Sequence, residues 1–353
     1  MRYGVYCDSD ETASYYMSRN LNLVRPSCTV GALFFAGDDI IPQRPDDAFQ
    51  DGDILEIQEG GRIRTICHQA DDEVFIYVTG RCNSNCFMCP SPEWERRNGN
   101  APSTDEIIEL IRYYPRHINH FTITGGEPFL LKDDLFIILE HLKHDFPDAG
   151  YLVLTNGRGF CIPHYAEKMQ QHAPKNTLIG IPLHSHHSQR HDALSGVDGS
   201  FEQTVTGIHN LIEKRMDLEI RIVVNKVNFM DIPGICRLIS DTFPQIAIVT
   251  FMAMEMSGNA AVNRQHLWVP LSQTIPYIDS GAAELLRHGI DFRFYNFPLC
   301  TLPPRYWAIA HKSISEEKIR FAECCSGCKC RPKCGGFFRS SRVYIEKELR
   351  PYV

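Results

Sequence analysis

The sequence predicts an α/β protein with a mostly parallel sheet at its core, a small β-rich N-terminal appendage and a cysteine-rich C-terminal region. Three observations carry this. From Val74 onward, short apolar runs alternate with stretches of helical period. Before about residue 70 the chain instead holds brief β-like runs broken by Gly and Pro turns. Near the end, Cys324, Cys325, Cys328, Cys330 and Cys334 fall within eleven residues.

In the appendage, Thr29 to Ala36 and Asp53 to Gln58 read as strands, with turns at Asp51-Gly52 and Gly60-Gly61. Core strands are expected at Val74 to Thr79, His120 to Thr124, Tyr151 to Thr155, Leu178 to Leu183, Glu219 to Asn225 and Ala247 to Met252. Between them, Thr104 to Tyr114, Lys132 to Asp145, Ala166 to His172, Ser200 to Arg215 and Ile232 to Thr242 read as amphipathic helices. Ser103 and Thr104 suit the first helix start, and Asp105 and Glu106 favour its dipole. Parallel neighbours require crossovers, which these helices supply. The resulting division is 1–70, a β-rich domain; 71–265, the core; and 266–353, the cysteine-rich domain.

A chain of 353 residues with 43% hydrophobic residues can bury a sizeable core. Its net charge of -7, with no long Lys/Arg run, makes nucleic acid an unfavourable partner. No apolar stretch approaches bilayer length and the start lacks a signal-peptide core, so a cytoplasmic protein with no membrane partner is expected. Fourteen cysteines are many for a reducing compartment, so the clustered ones call for metal. Cys7, Cys28, Cys67, Cys161 and Cys236 stand alone and read as small buried hydrophobes.

Ligands of parallel α/β sheets gather at the C-terminal strand ends. Three motifs fall there. Cys82, Cys86 and Cys89 follow the first core strand, Thr124-Gly125-Gly126-Glu127-Pro128 the second, and Thr155-Asn156-Gly157 the third. Three thiolates on one short loop can hold three irons of a [4Fe–4S] cluster and leave the fourth open to a small ligand. A structural zinc with a distant fourth ligand is the rival.

This Cys-x3-Cys-x2-Cys triplet, with Gly-Gly-Glu-Pro about thirty-five residues on, resembles the radical S-adenosylmethionine (SAM) superfamily. The resemblance implies a partial (β/α)6 barrel, a SAM-binding [4Fe–4S] cluster on Cys82, Cys86 and Cys89, and reductive cleavage of SAM to a 5'-deoxyadenosyl radical. Gly125 and Gly126 would let backbone approach the SAM amine, with Glu127 as polar anchor and Pro128 stiffening the turn. Met88 stands before the last cluster cysteine, where its backbone could address adenine. Asn156 suits ribose or carboxylate contacts. Arg221 alternates with Ile220 and Ile222, which points it to the barrel interior, where it could pair with the SAM carboxylate or form a structural ion pair. In Leu183-His184-Ser185-His186-His187-Ser188-Gln189-Arg190-His191-Asp192, no cysteine or carboxylate completes an obvious metal set. Those histidines read as solvated, with His184 and Ser185 as SAM or substrate contacts and His191-Asp192 starting a helix. The run Phe251 to Ala260 reads equally as core methionines or as an adenine contact.

In the tail, Cys300 joins the five clustered cysteines, and a closed site needs four. Cys300, Cys325, Cys328 and Cys334 are chosen because Cys-x2-Cys-x5-Cys-Gly-Gly-Phe-Phe resembles tails that hold an auxiliary [4Fe–4S] cluster. A zinc knuckle is the alternative. Together with Ile123 to Leu131, Leu154 to Arg158, Tyr295 to Pro303, Lys312 to Ser315 and Cys334 to Phe338, the chain resembles the C-type radical SAM maturase of His-Xaa-Ser peptide systems. That implies a ribosomally made precursor peptide as substrate, a second radical SAM maturase as partner and a flavodoxin- or ferredoxin-type reductant, with residues 1–70 available for peptide recognition. A radical enzyme acting on a small molecule or RNA base, and a non-catalytic iron–sulfur or zinc module, are the competing classes.

Overall fold

The structure, a computed structural model, describes residues 2–26, 32–35, 39–42, 48–58, 61–313 and 318–353. The expectations for Cys28, Thr29 to Gly31, Ala36, Gly60, Ile314 and Ser315 lie outside the described residues.

The appendage is a six-stranded sheet of β1 (Arg2–Tyr6), β2 (Leu23–Pro26), β3 (Ala32–Phe35), β4 (Asp39–Pro42), β5 (Ile54–Ile57) and β6 (Ile63–Cys67), in the order β4-β3-β2-β1-β5-β6. Val24, Leu33, Phe35, Leu55 and Ile57 form its own apolar cluster. Tyr3, Val5, Tyr16 and Ile54 instead join the main core, where the Tyr3 and Tyr113 rings lie 6.0 Å apart. The appendage therefore packs on the first crossover helix, Thr104–Tyr113. That helix begins with a capping box: the Glu106 amide donates to Ser103 Oγ at 3.2 Å, and the Ser103 amide to Glu106 Oε2 at 2.8 Å.

Eight parallel strands follow in strict sequence order: β7 (Glu73–Thr79), β8 (His120–Gly125), β9 (Gly150–Leu154), β10 (Thr177–Pro182), β11 (Asp217–Val223), β12 (Ile248–Met252), β13 (Asp291–Tyr295) and β14 (Ala310–His311). The six strands and five helices expected from periodicity all form, with ends within three positions. Two strands go beyond that count. Asp291, Arg293 and Tyr295 give β13 the look of a surface segment, and Pro276 interrupts the pattern of the helix Leu271–Arg287 before it. The parallel sheet thus continues past residue 265 to His311.

Alternation sorts the two faces of this sheet. Val74, Ile76, Val78, Ile179, Ile181, Ile220 and Ile222 are buried in the main core with the crossover helices. The other face carries Phe75 and Tyr77, 50% and 44% exposed, with Arg221 and Arg293 further across. After β14 the chain turns through short helical segments and an antiparallel pair, β15 (Ile319–Arg320) and β16 (Phe337–Phe338). Phe337, Ile345 and Leu349 anchor this tail in the main core. Cys7, Cys67 and Cys236 are buried, as read from the sequence, whereas Cys161 is only half-buried. Among the described residues no helix is long and apolar enough to cross a membrane.

Candidate functional site

The loop after β7 carries Cys82, Cys86 and Cys89, and other strand-end loops clamp its backbone. Asn259 Nδ2 donates to the Cys86 carbonyl at 3.0 Å, and the Cys89 carbonyl accepts from the Asn259 amide at 2.9 Å. Asn263 Nδ2 donates to the Phe87 carbonyl at 3.0 Å. From the loop after β10, the Leu194 and Ser195 carbonyls accept from the Phe87 and Asn85 amides at 2.8 and 3.0 Å. Arg96, itself buried, donates to Asn85 Oδ1 at 2.6 Å and to the Ser91 carbonyl. Met88 is buried among Leu194, Met254, Met256 and Leu267, so the methionine run after β12 is core that grips the loop.

Burial pushes the Cys82 thiol up to about 11 and the Cys86 thiol up to about 12, and nearby thiolates, Cys89 included, add to both shifts. Three thiols close enough to repel one another when ionised, in a site that disfavours anions, suit a cationic iron centre that takes the place of their protons.

The Gly-Gly-Glu-Pro segment lies directly against this loop. A Cβ on Gly126 would fall 2.5 Å from the Gly80 carbonyl oxygen and closer still to that of Arg81. The Gly126 and Glu127 amides donate to the Thr79 and Arg81 carbonyls at 2.6 and 2.8 Å. The close approach seen at these glycines is therefore to the cysteine loop itself. Glu127, expected as a SAM anchor, is instead fully enclosed. Its carboxylate accepts from the Phe129 amide at 3.0 Å, Thr155 Oγ1 at 2.7 Å and the Asn156 amide at 2.7 Å, which ties the loop after β8 to the loop after β9. Burial raises its pKa, opposed by these donors and Arg158. Pro128 starts the buried turn that follows.

Other expected contacts are also engaged within the protein. Asn156 Nδ2 donates to Asn83 Oδ1 at 2.7 Å while its Oδ1 accepts from the Arg158 amide at 3.0 Å. Arg221 Nε pairs with Glu219 Oε2 at 2.9 Å, and Arg293 with Glu219 Oε1 at 3.1 Å. Glu219 is buried; desolvation raises its pKa, but Arg221, Thr250 and Arg293 together bring it below the usual carboxylate range. The ion-pair reading of Arg221 thus has its partner, and the second arginine was not read from the sequence. Both guanidiniums approach the Tyr295 ring, at 5.8 and 4.8 Å.

The histidine stretch departs most from its expectation. His184 and His191 are buried, and burial lowers their pKa values to about 3 and about 4. The His184 amide donates to His191 Nδ1 at 3.2 Å. Ser185 is also buried, its hydroxyl given to Asp231 at 2.7 Å, which removes it from the set of surface contacts. Asp192 accepts from the Gly199 and Phe201 amides, both at 2.7 Å, at the start of the helix Ser200–Glu213.

In the tail, Cys300, Cys325, Cys328 and Cys334 line one apolar hollow with Phe321, and Cys330 joins them. Cys330 was read as a spare; Cys324 is exposed and does not line the hollow. Cys334 Sγ accepts from the Leu299 and Gly336 amides, both at 3.4 Å, as a thiolate ligand would. Among the described residues, the one trio of ligand atoms drawn within 4.8 Å of one another is His186, His187 and Asp231, and it contains no thiol. Thiols gathered on one hollow are a donor set for an iron–sulfur cluster or for a zinc ion.

Residues 76–239 match the family model described as the Radical SAM superfamily. Those residues form a radical SAM domain. The family uses a [4Fe–4S] cluster and SAM, and the triplet loop within the domain fits that cluster by donor type, spacing and burial. An AdoMet-dependent heme synthase of Nitratidesulfovibrio vulgaris is 29% identical over 167 residues, 46% of this chain and 44% of that protein. A GTP 3',8-cyclase of Nautilia profundicola is 34% identical over 116 residues, 31% of this chain and 35% of the cyclase. The chain thus spans less than half the length of these two relatives. Streptococcus suis SuiB bound to S-adenosylmethionine has a similar fold, with a TM-score of 0.53 at 17% identity over 72% of this chain and 54% of SuiB. SuiB bound to its precursor peptide SuiA gives 0.50 at 17% identity, over 63% and 48%.

Proposed function

We propose that this chain is a radical SAM enzyme that modifies a ribosomally made precursor peptide by hydrogen abstraction. The observation that carries the proposal is the triplet loop: three half-buried thiols at the C-terminal edge of a parallel sheet, with the loop backbone gripped by residues from the ends of several strands. With cluster and SAM bound, that site would supply a one-electron reductive cleavage yielding a carbon radical able to take hydrogen from an unactivated C–H bond. The protein's own share is placement and protection. Met88, Leu194, Met254 and Met256 keep water from the loop's inner side. Glu127 and Asn156 fix the facing strand ends. Arg221 and Arg293 share the Glu219 carboxylate on the sheet face opposite the core, where their remaining N–H donors could address a carboxylate of SAM or substrate.

A peptide is favoured over other substrates by the likeness in fold to SuiB, whose structure holds a precursor peptide, and by the exposed Phe75 and Tyr77 on the open face. The tail thiols, gathered on one apolar hollow, are assigned to an auxiliary [4Fe–4S] cluster, with a zinc ion as the rival. A flavodoxin- or ferredoxin-type reductant and a second maturase are the partners of this reading, with residues 1–70 assigned to peptide recognition.

The test is anaerobic incubation of reduced, reconstituted protein with SAM, followed by chromatography for 5'-deoxyadenosine. Cleavage is expected in the wild type and absent in Cys86→Ala; cleavage persisting in the variant refutes the assignment. Mass spectrometry of co-expressed candidate precursor peptides then tests the substrate. The small-molecule reading is favoured by the names of the two curated relatives. Intact SAM cleavage with every encoded neighbouring peptide left unmodified would select it.

A further inference from the structure

His186, His187 and Asp231 bring one ligand atom each to within 4.8 Å of the others, although Asp231 stands forty-four positions beyond His187. The histidines follow β10 and the aspartate follows β11, so neighbouring strands deliver them to one rim of the sheet. His186 is seated tightly: a Cβ on Gly234 would fall 2.6 Å from its Nδ1 and Nε2. Its Nδ1 is buried and has no hydrogen-bond partner, an arrangement that costs stability unless an ion or water completes it. Asp231 is held for the purpose by Ser185, whose hydroxyl donates to Oδ2 at 2.7 Å, and by Arg190 on Oδ1. The Arg190 side chain is 43% exposed and pairs with one oxygen of Asp231, which leaves lone pairs on the carboxylate for an ion. Beside the trio opens a cleft of about 800 Å³ lined by His186, His187, Arg190 and Phe201.

We propose that His186, His187 and Asp231 bind a divalent transition-metal ion, of the zinc or iron(II) class, at the rim of the radical SAM domain. Two imidazoles and a carboxylate suit such borderline ions, and three protein ligands leave a coordination position open. That position faces the cleft, where water or an electron-pair donor of the substrate, such as an imidazole or carboxylate, would complete the shell. Ser185 and Arg190 act as the outer partners that orient the ligating carboxylate. Asp231 lies too far along the chain from the histidines for the set to be legible in the sequence.

The test uses cluster-loaded protein, with its cysteines already engaged, titrated with Co²⁺ under anaerobic conditions. Bound metal per chain and the visible spectrum are read, so the outcome does not depend on any activity. Wild type is expected to take up about one cobalt beyond background, with d–d bands of nitrogen and oxygen ligation. His187→Ala, a change at an exposed side chain that leaves the fold in place, is expected to weaken uptake by at least roughly tenfold. Gly234→Ala should do the same by displacing the His186 ring. Equal uptake by wild type and both variants, or a spectrum dominated by thiolate-to-cobalt charge transfer, overturns the site.

Discussion

Gly126→Ala should break the junction between the Gly-Gly-Glu-Pro segment and the cysteine loop. The added methyl would sit 2.5 Å from the Gly80 oxygen and the Arg81 carbonyl carbon, where real Cβ contacts stay beyond 3.0 Å. These obstacles, with the still closer Arg81 oxygen, are all backbone, so a side-chain adjustment cannot relieve them; the loop must retreat by nearly an ångström. That retreat weakens the bonds from the Gly126 and Glu127 amides to the Thr79 and Arg81 carbonyls. Two hydrogen bonds at about 1 kcal/mol each, plus about 1 to 3 kcal/mol of overpacking, give a loss of about 3 to 5 kcal/mol. Because Arg81 adjoins Cys82, the first cluster ligand moves with it. Denaturant unfolding and iron content after anaerobic reconstitution are the assays. Gly327→Ala, whose Cβ would meet open space, serves as control and should shift stability by no more than about 0.5 kcal/mol. A Gly126→Ala protein with wild-type stability and full iron would refute the reasoning.

Three further outcomes follow from the same contacts. Asn259→Ala removes the side-chain donor to the Cys86 carbonyl and should lower triplet-loop iron retention, at a stability cost of about 1 to 2 kcal/mol; retention equal to wild type during chelator challenge would contradict this. The buried His184 and His191, with pKa values held down to about 3 and about 4, protonate more readily unfolded, where the ordinary value is near 6.5. Stability should therefore be complete above about pH 6.5 and fall toward pH 4, by about 2 kcal/mol per histidine on reaching pH 5. His191→Asn, whose Oδ1 can accept from the His184 amide, should flatten that slope in unfolding measured across pH; an unchanged slope would count against it. In the tail, Cys324→Ser should retain all iron while Cys334→Ser loses the tail's share, and equal iron in both would remove Cys334 from the ligand set.

What the sequence determined by itself is what local pattern encodes. Period and capping residues located six parallel strands and the helices between them, because those signals act within a few residues of one another. The Cys-x3-Cys-x2-Cys spacing and Gly-Gly-Glu-Pro were legible for the same reason. Tertiary structure alone decided which side chains meet. Asn259 reaches the Cys86 carbonyl across 173 positions, Arg293 shares Glu219 with Arg221, and Asp231 completes the His186–His187 pair. It also turned Glu127 and Ser185 inward and set Asn156 against Asn83, onto partners no spacing rule connects to them. Each of these contacts arises where crossover helices return the chain to the same edge of the sheet. That return sets neighbours by strand order rather than by distance along the sequence.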